Sequence, residues 1–240
     1  MLQIVEGATE LASFRKRRIL LFDIDGTLID TGGAGGRSFL EAFGDEFGVP
    51  SPKAVPMSGR TDFGILAQLL EENGIAPDST AIDRLRKLYF DKLRARLPVS
   101  EGRVLPGVPL LLQRLQIHGM FTLGLLTGNM PESAMMKLEH YGLDHHFSWG
   151  IFGDRHPDRS ALGRFAMSPI RQRFGKEVSR HELVVIGDTP LDVACAREIG
   201  CRVLAVATGA FDLASLQSHS PDRLLPDLTQ TEAIIDWLAC

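Results

Sequence analysis

A chain of 240 residues suits one large domain, or a core with a small second unit. Its 44% apolar content can fill a packed interior and excludes a disordered chain. A net charge of −4 offers nucleic acid no bulk attraction, and no apolar run reaches membrane-spanning length.

From the N-terminus, Glu6, Glu10 and the basic cluster Arg15-Lys16-Arg17-Arg18 interrupt the chain before any long apolar stretch, so no secretory leader is expected. The cluster reads as solvated charge ahead of the first strand, with a polyanion patch as the alternative. Short apolar runs predict strands at Arg18–Phe22, Thr122–Leu126, Leu183–Ile186 and Arg202–Ala205, with a weaker one near Trp149–Phe152. Helical patterns lie between them, at Val108–His118, Glu132–Tyr141, Ser160–Phe174 and Leu191–Ile199. Alternating strands and helices imply an α/β fold, a parallel sheet with helices on both faces. The strand runs are continuously apolar, as strands buried on both sides require.

Between the first two strands the pattern is helical only, roughly at Arg37–Phe47, Thr61–Asn73 and Asp78–Leu97. The segment is too long for a simple crossover. It predicts a helical unit at 32–102 inserted into a core made of 1–31 and 103–240, with Gly32-Gly33-Ala34-Gly35-Gly36, Gly102 and Gly107 as hinge candidates. The cysteines Cys195, Cys201 and Cys240 show no paired or metal-like spacing, which fits a reducing cytoplasm.

Four features close or follow strands. They are Asp23-Ile24-Asp25-Gly26-Thr27, Thr127-Gly128-Asn129, the basic segment Arg155-His156-Pro157-Asp158-Arg159, and Gly187-Asp188-Thr189-Pro190-Leu191-Asp192. Residues two apart on a strand project the same way, so Asp23 and Asp25 can share a strand end. Carboxylates that close repel unless a proton or a cation relieves them, and a hard divalent ion with oxygen ligands is the natural relief. Sites in parallel sheets form beyond the carboxyl ends of strands, so four sequence-distant features can converge there.

This set, in this order and with a helical insert after the first member, resembles the haloacid dehalogenase superfamily, and within it the phosphoglycolate-phosphatase-like enzymes. The resemblance implies a Rossmann-like core, a mobile helical cap and a need for Mg²⁺. It implies hydrolysis of a small-molecule phosphate monoester through an aspartyl phosphate, since direct hydrolysis is very slow and an aspartate nucleophile divides it into two steps. Asp23 matches the nucleophile. Asp25 matches the general acid/base, and its backbone carbonyl joins the metal shell. Asp188 matches a direct metal ligand, with Asp192 holding metal-bound water or orienting its neighbours. Thr127 and the Gly128 amide, beside Asn129, match donors to the phosphoryl oxygens.

Alternatives stay open at this level. Asp188 can cap the helix that Pro190 begins. The relatives' third motif is a lysine followed by proline. No Lys-Pro occurs here, and Lys176 lies too near the fourth motif. Arg159 is the leading substitute cation, Arg155 and Arg164 are the alternatives, and a solvated Arg159 is the plain reading. In Gly59-Arg60-Thr61-Asp62, free amides at a helix start and Arg60 would meet an anionic leaving group such as the carboxylate of phosphoglycolate. The plain reading there is a helix cap with an exposed arginine. A sugar phosphomutase of the same family and a catalytically weakened ligand-binding homologue are the competing functions. Neither a nucleic-acid partner nor a membrane partner is expected.

Overall fold

The computed structural model describes residues 18–240. Arg15, Lys16 and Arg17 of the basic cluster lie outside that range, while Arg18 opens the first strand and donates to the His181 carbonyl at 2.6 Å. The chain runs β1 (Arg18–Phe22), β2 (Ile29–Asp30), α1 (Ala34–Phe47), α2 (Asp62–Glu72), α3 (Ser79–Arg96), β3 (Arg103–Val104), α4 (Val108–His118) and β4 (Phe121–Leu126). It continues with α5 (Pro131–His140), β5 (Gly150–Ile151), α6 (Arg159–Phe174), β6 (Leu183–Gly187), α7 (Pro190–Ile199), β7 (Arg202–Val206), α8 (Leu213–Ser218), β8 (Arg223–Leu225) and α9 (Thr231–Ala239).

Six strands form one sheet in the order β5-β4-β1-β6-β7-β8, every neighbouring pair parallel. Strand β1 lies inside it and is buried on both faces. Leu20 and Phe22 join Leu111, Leu112 and Leu115 of α4 on one face, and Ile19 and Leu21 join Leu162, Ala166 and Ala196 of α6 and α7 on the other. That two-sided burial is why the strands read as unbroken apolar runs. The chain lays β4 and β5 on one side of β1, then returns to place β6, β7 and β8 on the other. The strand order reverses at β1, the position where such sheets open a crevice at their carboxyl ends.

Helices α1, α2 and α3 pack around a third apolar cluster that contains Phe39, Phe43, Leu66, Leu70, Leu85, Tyr89 and Leu93, with Phe39 stacked flat on Tyr89 at 3.8 Å. Their chain enters and leaves through an antiparallel ribbon, Ile29–Asp30 against Arg103–Val104. Two-residue strands are too short to show alternation, so this ribbon left no mark in the sequence pattern. The glycine run divides. Gly32 and Gly33 take positive φ (59° and 78°), whereas Gly35 and Gly36 lie in the first turn of α1. Among the described residues no helix is long and apolar enough to cross a membrane. Cys195 and Cys201 are buried free thiols, pushed up to about 12 by burial, and Cys240 is free and exposed.

Candidate active site

The register of the central strands sets the site. Phe22 of β1 aligns with Leu125 of β4 and Ile186 of β6. Asp23, Thr127 and Asp188 therefore leave three adjacent strands at nearly the same level. Carboxylate oxygens of Asp23, Asp188 and Asp192 lie within 4.8 Å of one another, and all three residues are buried. Burial pushes the Asp23 carboxyl up to about 6, with Asp192 and Asp25 adding repulsion and Arg159 opposing it. Burial likewise raises Asp188 well above the usual carboxylate range, Asp192 and Asp23 reinforcing the effect.

The Asp188 carboxylate accepts a hydrogen bond from Thr27 Oγ1 at 3.1 Å and sits between Gly26 and Gly209. A Cβ at either glycine would overlap it, and Gly26 also holds φ at +81°. Glycine is required there by space and by backbone alike. Asp188 does not cap α7. Thr189 does, through a reciprocal box with Asp192 whose Oδ2 accepts from Thr189 N at 2.9 Å and Thr189 Oγ1 at 2.7 Å.

Of the three candidate cations, only Arg159 reaches this cluster. It begins α6, is 2% exposed, donates to Asp23 Oδ1 at 3.3 Å and the Leu126 carbonyl at 3.0 Å, and pairs closely with Asp192 Oδ1. Burial works against its charge, but Asp192 and Asp23 outweigh that and hold the guanidinium protonated. Arg155 is exposed and pairs with its neighbour Asp154, and Arg164 is an exposed partner of Glu198. The solvated reading of Arg159 is thereby corrected.

Asp25 projects to the other side of the crevice. Its Oδ2 accepts from Asn129 Nδ2 at 2.8 Å and from Lys137 Nζ at 2.6 Å. Thr127 Oγ1 accepts from Asn129 Nδ2 at 2.8 Å and is fully buried, next in the chain to Gly128 and Asn129, which line the cavity. Lys137 had no place in the sequence motifs. The signal was available, because Lys137 falls on the same α5 face as Ser133, Ala134 and Leu138, where the helical period calls for a buried residue.

The start of α2 closes the crevice from above. Asp62 N donates to the Gly128 carbonyl at 2.7 Å, Phe63 N to the Gly153 carbonyl at 3.4 Å, and Thr61 Oγ1 to the His156 carbonyl at 2.8 Å. The buried Asp62 carboxylate reaches across to α5, accepting from Met130 N at 2.9 Å and Ser133 Oγ at 2.6 Å. It thus supplies the N-terminal cap that Met130 cannot give α5 itself. Burial raises the Asp62 carboxyl against the pull of Lys137.

These contacts correct the expectation of free amides at this helix start, since core carbonyls and the Thr61 hydroxyl occupy them. Arg60 lines the cavity, but its guanidinium is tied to the Pro56 carbonyl and to Gln68 Oε1 within its own unit. The cavity that remains holds about 340 Å³ and is lined by Asp23, Asp25, Gly128, Lys137, Arg159 and Asp188 among others.

The donor set fits a hard divalent cation. It gathers the carboxylates of Asp23, Asp188 and Asp192 without sulfur or imidazole, and Arg159 pairs with two of the three, Asp23 and Asp192. Asp23 and Asp188 have lone pairs to give. Both oxygens of Asp192 are already engaged, by Arg159 and by Thr189.

Comparison with known proteins agrees with this geometry. The family described as haloacid dehalogenase-like hydrolase matches residues 20–206. The chain is 28% identical over 202 residues to a phosphoglycolate phosphatase of Mesorhizobium japonicum, covering 82% of this chain and 85% of that protein. It is 27% identical over 234 residues to glycerol-1-phosphate phosphohydrolase 2 of Saccharomyces cerevisiae, covering 91% and 86%. Among solved structures, a hydrolase from Pseudomonas syringae superposes with a TM-score of 0.71 at 21% identity, covering 93% of this chain and all of that one. Strand-end aspartates around one crevice, and a family match spanning the sheet from β1 to β7, lead to one conclusion: the chain is an enzyme that belongs to the haloacid dehalogenase-like hydrolases.

Proposed function

We propose that this chain is a Mg²⁺-dependent phosphatase that hydrolyses a small-molecule phosphate monoester of the phosphoglycolate kind through an aspartyl phosphate. The observation that carries the reading is the placement of Asp23. Its carboxylate stands at the cavity wall beside Asp188, with Arg159 on one flank and Asp25 on the other side of the crevice. The curated relatives support the substrate class, since the names of both refer to small phosphate esters.

In the first step an Asp23 oxygen attacks phosphorus, the bond from phosphorus to the alcohol oxygen breaks, and that oxygen takes its electron pair and a proton from Asp25. In the second, Asp25 removes a proton from water, the resulting hydroxide attacks phosphorus, and the bond to Asp23 breaks to release phosphate. Thr127 and the Gly128 amide hold phosphoryl oxygens, and Arg159 supplies positive charge beside the nucleophile. Asp23, Asp188 and the Asp25 carbonyl would hold Mg²⁺, which supplies charge neutralisation and a template for the phosphoryl group. Asp192 serves by orienting Arg159. Residues 32–102 form a cap over the core of 1–31 and 103–240, with Arg60 at its face toward the leaving group. The buried thiols Cys195 and Cys201 suit a reducing cytoplasm.

The test is phosphate release from a panel of metabolite phosphates, with Mg²⁺ and with a chelator. The expected result is Mg²⁺-dependent release that Asp23→Asn lowers by at least roughly 1,000-fold. Equal release by the two proteins, or release indifferent to chelation, would overturn the reading.

A further inference from the structure

Lys137 takes no part in the scheme above, yet its side chain is only 4% exposed and its Nζ reaches the cavity floor. A buried ammonium is costly unless it is fully partnered. Here Nζ is 2.6 Å from Asp25 Oδ2 and 2.6 Å from Asn129 Oδ1. An ammonium only donates, so it dictates which way round the Asn129 amide stands. With Oδ1 on Lys137, the amide nitrogen must face Asp25 Oδ2 and Thr127 Oγ1, both at 2.8 Å. The reverse orientation would set NH₂ against an ammonium and a carbonyl oxygen against a carboxylate.

Two consequences follow at the reacting groups. Asp25 Oδ2 carries two donors, which leaves Oδ1 as the oxygen that can turn to the alcohol. Thr127 Oγ1 accepts from Asn129 Nδ2 and, at 3.3 Å, from Asn129 N, so its own hydrogen is directed away from Asn129.

We propose that Lys137 is a positioning residue for phosphate-ester cleavage: by holding one oxygen of Asp25 and fixing the Asn129 amide, it presents the other Asp25 oxygen to the leaving alcohol. The proposal rests on Asp25 being the proton donor of the function proposed above. It predicts a loss that depends on how much the leaving group needs a proton. A general defect in folding or binding would not discriminate in that way.

The experiment compares kcat/KM, which covers the steps through departure of the alcohol, for glycerol phosphate and for 4-nitrophenyl phosphate. Lys137→Met is expected to lower the value for the alkyl ester about 100-fold and that for the aryl ester less than about fivefold. Lys137→Arg keeps a cation that only donates and is expected to preserve the wild-type ratio of the two esters. If thermal unfolding shows that Lys137→Met does not fold, Lys137→Gln takes its place in the comparison. Equal falls for both esters, no fall for the alkyl ester, or a ratio in Lys137→Arg shifted as far as in Lys137→Met would overturn the role of Lys137 alone. Wild-type protein that with Mg²⁺ cleaves neither ester nor any member of the metabolite panel would overturn the phosphatase reading and this proposal with it.

Discussion

Asp23 has one oxygen on Arg159 and its charge crowded by Asp192 and Asp25, and its pKa of about 6 follows from burial before anything else. The sign of the effect is fixed. A carboxyl raised in the folded state stabilises the protein below its unfolded value of 3.8 and loses that contribution as pH rises through about 6. A bound cation reverses the preference, because only the carboxylate is a ligand. With a pKa near 6, the ionised share falls from about 97% at pH 7.5 to about 24% at pH 5.5. Mg²⁺ affinity measured by titration calorimetry is therefore expected to weaken at least about fourfold between those pH values from Asp23 alone, with Asp188 adding to it. An unchanged affinity would mean the cation does not meet Asp23. Most residues of this cluster were legible in the sequence because their chemistry sits in short runs, Asp23 to Thr27 and Asp188 to Asp192. Lys137 was legible only through the helical period of α5, which puts it on the buried face with Ser133, Ala134 and Leu138; its partner Asp25, 112 positions away, was not.

Among the elements, α2 shows how a helix terminus can be used twice. Thr61 caps it, at 3.1 Å from Gly64 N, while Asp62 caps α5 across the crevice. The Gly59-Arg60-Thr61-Asp62 run was readable as a helix start, but its contacts with Gly128, Gly153 and α5 were not, since they join residues 66 or more positions apart. Strands β1, β4, β6 and β7 were readable to within a residue because double burial demands unbroken apolar runs. The ribbon β2–β3 is too short to carry a pattern.

Asp62 also makes a thermodynamic prediction. Its carboxyl is raised by burial, so its contribution to stability is largest below 3.8 and fades as pH rises through its folded value. Asp62→Asn keeps an oxygen for Met130 N and Ser133 Oγ without the buried charge. In urea denaturation the variant is expected to gain on the wild type between pH 4 and pH 8, by roughly 1–3 kcal/mol at the upper end. A gap that shrinks with rising pH would contradict the burial argument.

For the whole molecule, the two apolar clusters of the sheet core and that of α1–α3 are packed separately, and polar bonds, the β2–β3 ribbon and the side chains of Met130, Met136 and Tyr141 join them. Regions joined this way open independently of global unfolding. The amides of Asp62 and Phe63 are expected to exchange with solvent roughly 100-fold faster than those of Leu20 and Leu21 in β1, and to slow when Mg²⁺ and inorganic phosphate are added. Protection equal to that of β1 would show that the helices do not lift. The α/β architecture was legible because it follows from the alternation of elements along the chain. The closed contact between the two clusters was not, because no periodicity encodes how two separately packed bodies meet.

The landing of α2 has a kinetic side. Its first turn is fastened at Gly128, Gly153, His156, Met130 and Ser133 within three consecutive residues, so raising it by a few ångströms strips all of those bonds in one motion. Each is worth only about 1 kcal/mol net, but they share a single displacement, and no half-raised position keeps some and spares others. Such a fastening would behave as a press-stud and not as a spring: under the proposed function the crevice would pass between shut and open without a stable halfway position, and the time spent shut would set how long a product stays inside.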